Sequence, residues 1–365
     1  MPASNFLPEG IYDSLPPEAE KIELLRRAIL DIFHSWGYQL VITPMMEFTS
    51  TLLHEADDQL DRETFKVVDQ ISGKIMGVRA DITPQIARID SSYQSNSINR
   101  FCYIGTTMTT LPKGINRCRA PIQIGAELLG STSLFADAEV ILLVFELLNK
   151  LGIKDYIIDL TDSRIFHNIC RAIDFPINKY HDLASALSRK SLADIEFIIE
   201  KEELKEQHKN WLLSFLKLNG SIDEVLDNAK LFLPAQYVSN ELTEMEKIAE
   251  LLKTVMPGDL LTCDYAESAK HDYYTGVSFS AYAAGYSNEF LNGGRYCVKT
   301  ASSNNVTRKS VGFSTDVQTL LKLSNIHLKM HAQEELKDPD FLNKEEYLKT
   351  QKERLRGKRV VYKFD

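Results

Sequence analysis

The sequence contains no apolar run approaching the ~18 residues that a membrane-spanning helix needs. Its first residues, MPASNFLPEG, have neither the basic nor the apolar part of a signal peptide. We therefore expect a chain that stays in the cytoplasm. It also lacks any CxxC pair: the five cysteines, Cys102, Cys118, Cys170, Cys263 and Cys297, are odd in number and widely scattered. That spacing argues against a disulfide framework or a thiolate metal centre and reads as free thiols in a reducing compartment. A basic excess is missing too, since the net charge is −9, which argues against a surface that wraps nucleic acid. No metal and no organic cofactor is expected. What the chain does have is 365 residues, 44% of them apolar, enough for roughly two or three domains and a sizeable core.

The pattern along the chain alternates between the two classes of element. Ile22, Leu25, Ile29 and Ile32/Phe33 recur at helical spacing behind Leu15-Pro16-Pro17 and stop at Trp36-Gly37. Tyr38–Thr43 then reads as a strand ending at Pro44. Phe65–Asp69 and Lys74–Arg79 flank the turn residues Gln70-Ile71-Ser72-Gly73 as a hairpin, and Thr83-Pro84 opens a helix, with Thr83 as its cap. Arg79, Asp81 and Thr83 thus fall where a strand becomes a helix, a place that suits ligand contacts and turn formation equally. Arg100–Gly130 reads as a long hairpin with a basic tip at Lys113–Arg119. In its second strand Gln123 and Glu127 are four residues apart, so a period of two puts both on one face. An amide and a carboxylate on one face can hold a cationic or amide-bearing small molecule; the residues alone leave open a merely solvated face.

Phe135–Leu151 reads as an apolar helix and Tyr156–Leu160 as a core strand, after which 176–254 turns rich in Leu, Lys and Glu at helical spacing. Strands return at Leu260–Asp264, Tyr273–Phe279, Gly293–Tyr296 and Ser310–Phe313, followed by a short helix Asp316–Leu323 and a charged tail. The segment from His271 through Tyr273-Tyr274 to Phe279 suits a pocket wall. Arg354–Arg359 carries cations that read as a solvated helix end before an apolar strand at Val360–Tyr362.

Taken together, Pro44 after a helix and strand, the 100–130 hairpin, His271–Phe279 and Gly293–Tyr296 resemble the catalytic domain of histidyl-tRNA synthetase, over most of residues 5–323. The runs LPEGIYDSLPPEAEKIELLRR, FKVVDQISGKIMGVRADITPQIARI and APIQIGAELLG with ADAEVI resemble, more closely, the regulatory subunits of ATP phosphoribosyltransferase. The resemblance implies an α+β fold: a class II aminoacyl-tRNA synthetase-like mixed, mainly antiparallel sheet with flanking helices. It implies a split core domain (1–175 and 255–323), an inserted helical domain (176–254) and a C-terminal extension (324–365) without an anticodon-binding domain. It also implies that the synthetase's arginine and glutamate in the hairpin fall on Thr109 and Leu111, and two further arginines on Ala269 and Thr319. Without those cations a site cannot stabilise a transferring phosphoryl group, a loss of roughly 10²–10³ in rate per donor. The histidine-contacting positions, by contrast, fall on Asp81 (Glu in the synthetase), Thr83, Gln123, Glu127, Tyr273 and Tyr274, while Cys297 stands where the synthetase motif continues with Asp. The expectation is therefore a chain with no catalytic residues and no tRNA charging. As a regulatory subunit it would sustain the short-form catalytic subunit in a hetero-octamer and confer feedback inhibition by L-histidine in the first step of histidine biosynthesis. A diverged aminoacyl-adenylate-forming ligase and an RNA-binding relic are the alternatives.

Overall fold

The computed structural model describes residues 7–53, 58–92, 97–111, 118–268, 273–299, 307–326, 333–337 and 344–363. Its largest feature is a nine-stranded sheet, built from β1 (Gln39–Leu40), β5 (Asn99–Thr106), β6 (Ile122–Leu129), β7 (Tyr156–Asp162), β8 (Asn219–Ser221), β9 (Leu261–Asp264), β10 (Val277–Ala283), β11 (Leu291–Lys299) and β12 (Thr307–Asp316). Their order is β1-β5-β6-β12-β11-β10-β7-β9-β8. Only β1 with β5 and β7 with β9 run parallel; the other pairs are antiparallel. A three-stranded sheet of β2 (Met46–Phe48), β3 (Phe65–Val68) and β4 (Ile75–Val78) stands beside it. β13 (Gln333–Lys337) and β14 (Arg359–Lys363) pair in parallel near the C-terminus.

Register divides the large sheet into two unlike faces. One cross-strand row reads Cys102, Ala126, Phe313, Gly293, Phe279, Leu160 and faces the core. The adjacent row, one residue along and therefore on the opposite side, reads Phe101, Glu127, Gly312, Gly294, Ser278, Thr161. Apolar helices cover the first face. The helix Glu18–Ser35 buries Ile22, Leu25, Ile29, Ile32 and Phe33, places Glu18 and Glu20 where the N-terminal dipole favours them, and ends at Gly37 with φ +79°. Leu134–Lys150, capped by Ser133 accepting from the Phe135 N–H, buries nine residues against the same face. Each large aliphatic side chain removed from water there contributes roughly 1.5–3 kcal/mol.

One buried ion pair pins this helix to the sheet from below. Arg295 of β11 donates to both Asp137 oxygens, from Nε at 2.8 Å and Nη2 at 2.6 Å, and to the Ser131 and Ser133 carbonyls. Its arginine thus closes the turn that starts the helix.

Between β7 and β9 the chain forms six helices: Ser163–Ala172, Tyr180–Ser188, Leu192–Glu200, Glu206–Ser214, Ile222–Phe232 and Ala235–Lys253. Their apolar faces join the same core cluster as the sheet. Arg164 ties them together, donating to Asp162 at the end of β7 and to Glu244 on the last helix. The segment also contributes one edge strand, β8, which the helical periodicity does not foretell. Among the described residues no helix is long and apolar enough to cross a membrane.

Candidate functional site

The polar face of the sheet closes into a site where the helix Thr83–Ser92 begins. Asp81 Oδ1 accepts from the Thr83 N–H at 2.8 Å and from Gln123 Nε2 at 2.9 Å, and the Gln123 carbonyl oxygen accepts from the Ile82 N–H at 2.9 Å. The strand-to-helix turn is thus fastened to β6 through an amide, which fixes the direction of both Asp81 and Gln123. Tyr103, Ile82, Ile86, Phe101 and Leu129 form a small apolar cluster beneath the helix.

Four residues beyond Gln123 lies Glu127, only 2% exposed. Thr83 Oγ1 and Tyr103 OH donate to its Oε1 at 3.3 and 3.4 Å, and Tyr296 OH donates to Oε2 at 2.9 Å. All three partners are neutral hydroxyls, and among the described residues no cationic side chain pairs with it. Burial pushes the Glu127 carboxyl up to about 8, aided by the Asp81 charge and opposed by the three hydroxyl hydrogen bonds, Tyr296 first. Burial likewise holds the Tyr103 and Tyr296 phenols well above their ordinary range, with the Glu127 charge adding to it. Room for this carboxyl comes from the facing residue of β12: a Cβ on Gly312 would overlap Glu127 Oε2.

Aromatic rings flank this group. Tyr273 stacks on Tyr296 with ring centroids 5.3 Å apart and 27° between planes, and meets Tyr274 edge-on at 5.5 Å. Tyr273 is 55% exposed, so it forms the rim, whereas Tyr274 is half-buried over Gly294. The structure therefore gathers Asp81, Thr83, Gln123 and Glu127 into one hydrogen-bonded group, and brings Tyr273 and Tyr274 to its edge through Tyr296. Tyr103 and Tyr296 are members that sequence reasoning did not single out. Their signal was available in the alternation, which puts Tyr103 on the Gln123–Glu127 face. The expected wall residues His271 and Asp272 lie outside the described residues, as does Ala269.

Among the described positions where the resemblance puts ATP-handling residues, Thr109 and Thr319 replace arginines and Leu111 replaces the glutamate. Thr109 is 3% exposed and spends its hydroxyl on the Leu111 carbonyl at 2.6 Å; Leu111 is 61% exposed. Thr319 is 1% exposed, its N–H donating to the Asp316 cap at 2.7 Å. Cys297 points away from the Tyr296 side of β11, and its Sγ lies 3.4 Å from Thr275 Oγ1. No group of three or more His, Cys, Asp or Glu side chains among the described residues could hold a metal ion. The arrangement can accept N–H donors from a small cationic molecule at two carboxyls, orient it with an amide and hydroxyls, and cover it with phenol rings.

Known proteins match the chain over most of its length. The histidyl-tRNA synthetase family model matches residues 10–320. The ATP phosphoribosyltransferase regulatory subunit of Thioalkalivibrio sulfidiphilus (strain HL-EbGR7) is 37% identical over 322 residues, which are 87% of this chain and 81% of that protein. That of Pseudomonas aeruginosa (strain LESB58) is 38% identical over 325 residues, 88% and 82% of the two chains. Among solved structures, an ATP phosphoribosyltransferase regulatory subunit/histidyl-tRNA synthetase from Bacillus halodurans matches with a TM-score of 0.84 at 23% identity, covering 100% of this chain and 93% of that one. A chain of the ATP phosphoribosyl transferase (HisG:HisZ) complex from Thermotoga maritima matches at 0.61 and 17% identity, with 81% and 97% covered. The structural matches establish the fold as that of a class II aminoacyl-tRNA synthetase core.

Proposed function

Because the chain belongs to the family of ATP phosphoribosyltransferase regulatory subunits, its part is regulatory and the bond-making rests with a partner, and we propose that this partner is the short-form catalytic subunit. The chain sustains the partner's activity in a cytoplasmic hetero-octamer and lowers it when L-histidine binds. The observation that carries the ligand reading is the group Asp81, Thr83, Gln123 and Glu127, rimmed by Tyr273 and Tyr274, with no cation at Thr109 or Thr319 and no carboxylate at Leu111. Such a pocket suits recognition of an amino acid with an imidazole and an ammonium, and does not suit its activation on ATP.

Inhibition requires that histidine bind one state of the assembly more tightly than the other; a tenfold preference is about 1.4 kcal/mol of coupling. We place that preference in the pocket. The domain organisation that goes with it is a synthetase-like core of 1–175 with 255–323, an inserted helical domain of 176–254 and an extension of 324–365. The test is the ATP phosphoribosyltransferase rate of the short catalytic subunit with and without this chain, each with and without L-histidine. A rise in rate that histidine reverses is expected. An unchanged rate with no complex on sizing would sink the reading, and amino-acid-dependent pyrophosphate exchange would then be the next measurement.

A further inference from the structure

Arg79 follows β4 and stands two residues before Asp81. It is 7% exposed, and its guanidinium is held by neutral oxygens alone. Nε donates to the Thr106 carbonyl at 2.9 Å, and Nη1 donates to the Thr43 carbonyl at 2.9 Å, the Thr43 hydroxyl at 2.7 Å and the Pro44 carbonyl at 3.4 Å. Nη2 donates to nothing among the described residues. Glu47, whose charge Arg79 feels, is itself engaged by Arg88 and Gln85. Burial lowers the proton affinity of Arg79, yet a guanidinium remains charged throughout the physiological range. A buried cation surrounded only by neutral acceptors is incomplete without an anion.

The free Nη2 lies on the pocket side of the sheet. It sits against Gly105, where a Cβ would collide with it, and Ile82 Cδ1 would lie 3.3 Å from that Cβ. Gly105 shares its face with Tyr103 and is paired with Gln123, whose amide reaches Asp81. A guanidinium and a carboxylate, two residues apart in the chain, thus approach the Gln123 position from the same groove. The α-carbon of a free amino acid carries the complementary pair, an ammonium and a carboxylate on one atom.

We propose that Arg79 Nη2, cradled by Gly105, is the subsite for the carboxylate of the amino-acid ligand, with Asp81 taking its ammonium. The inference rests on the reading of the pocket as an amino-acid site. It adds the reason such a pocket would select the free acid over its alcohol, amide or ester: only the acid supplies the anion that a buried guanidinium lacks.

The test is calorimetric titration of the full chain with L-histidine and with L-histidinol, which keeps the imidazole and the ammonium and replaces the carboxylate by a hydroxymethyl group. The expected result is that the protein binds histidine at least about tenfold more tightly than histidinol, the size of one charge-assisted hydrogen bond. In Gly105→Ala, whose methyl displaces the guanidinium while its partners remain, and in Arg79→Lys, the ratio is expected to fall to about threefold or less with histidinol affinity nearly unchanged. Thermal melts identify any variant that fails to fold, and the other variant then decides. A histidine preference that persists in the folded variants, or is missing from the unmodified protein, overturns the subsite alone. Binding of neither compound overturns the amino-acid reading and the subsite with it.

Discussion

At the scale of single residues the site turns on Glu127. Its carboxyl is pushed from 4.5 in the unfolded chain up to about 8 in the folded one, chiefly by burial. A raised carboxyl means that the native state holds a proton which the unfolded state has already lost. Stability from this group is therefore fully present below about pH 4.5 and is lost as pH rises through 8, at up to about 1.4 kcal/mol per pH unit. Asp159, pushed up to about 6, adds the same sign between pH 4 and 6. We expect the ligand-free melting temperature to fall between pH 5 and 8.5, and to fall less in Glu127→Gln, which keeps the shape and cannot ionise. Parallel curves for the two proteins, read by circular dichroism, would show that Glu127 is charged throughout. The site residues differed in how readable they were. A strand's period of two put Gln123 and Glu127 on one face, and the strand-to-helix turn marked Asp81 and Thr83. The residues alone suited a solvated face and a capped turn equally, and only the family resemblance tied them to a ligand. Tyr103 and Tyr296 were present in the same patterns but look like core aromatics until the register is known. Gly312 has no signal of its own, since its role is to be absent from the space the carboxyl occupies.

At the scale of elements, the helices were legible from their apolar spacing and the long antiparallel strands from their alternation. The exceptions have physical causes. Tyr38–Thr43 reads as a six-residue strand, but the ladder covers Gln39 and Leu40 with one further bond from the Val41 N–H to the Cys102 carbonyl; beyond it the Thr43 and Pro44 carbonyls accept from Arg79 instead. Tyr273–Phe279 reads as one strand, yet β10 starts at Val277, after Thr275 has bonded to the Arg295 carbonyl. β8 is Asn-Gly-Ser, exposed at all three positions, and carries no apolar alternation that could announce it. The join between the helices after β7 and the sheet is apolar for the most part and also includes Arg164, whose partner Asp162 has no solvent exposure. Arg164→Ala strands that buried carboxylate, and we expect it to cost about 3 kcal/mol in denaturant unfolding. Histidine affinity is expected to stay within about twofold, because the pocket strands are not touched; a loss of affinity equal to the loss of stability would mean that the helices and the pocket form one cooperative unit.

For the molecule as a whole, the division of one sheet into an apolar and a polar face sets the economy of the fold. The main core lies on one side with its helices, and on the polar side Thr161 bonds to Ser278 and Ser280 donates to Asn292. A ligand that binds only the native chain must stabilise it by mass action, about 2.7 kcal/mol at a hundredfold excess over Kd, which for a chain of this size is roughly 3–5 °C. L-histidine is expected to raise the melting temperature by that amount without any catalytic partner present. A flat response at millimolar histidine would move the effector site away from this chain. The two faces are not independent, however. Tyr296 and Arg295 are consecutive on β11, one holding Glu127 above the sheet and the other holding Asp137 and the Ser131 and Ser133 carbonyls below it. One strand therefore carries two fastenings back to back, and the carboxyl of the site and the first turn of the helix are separated by a single peptide unit of β11.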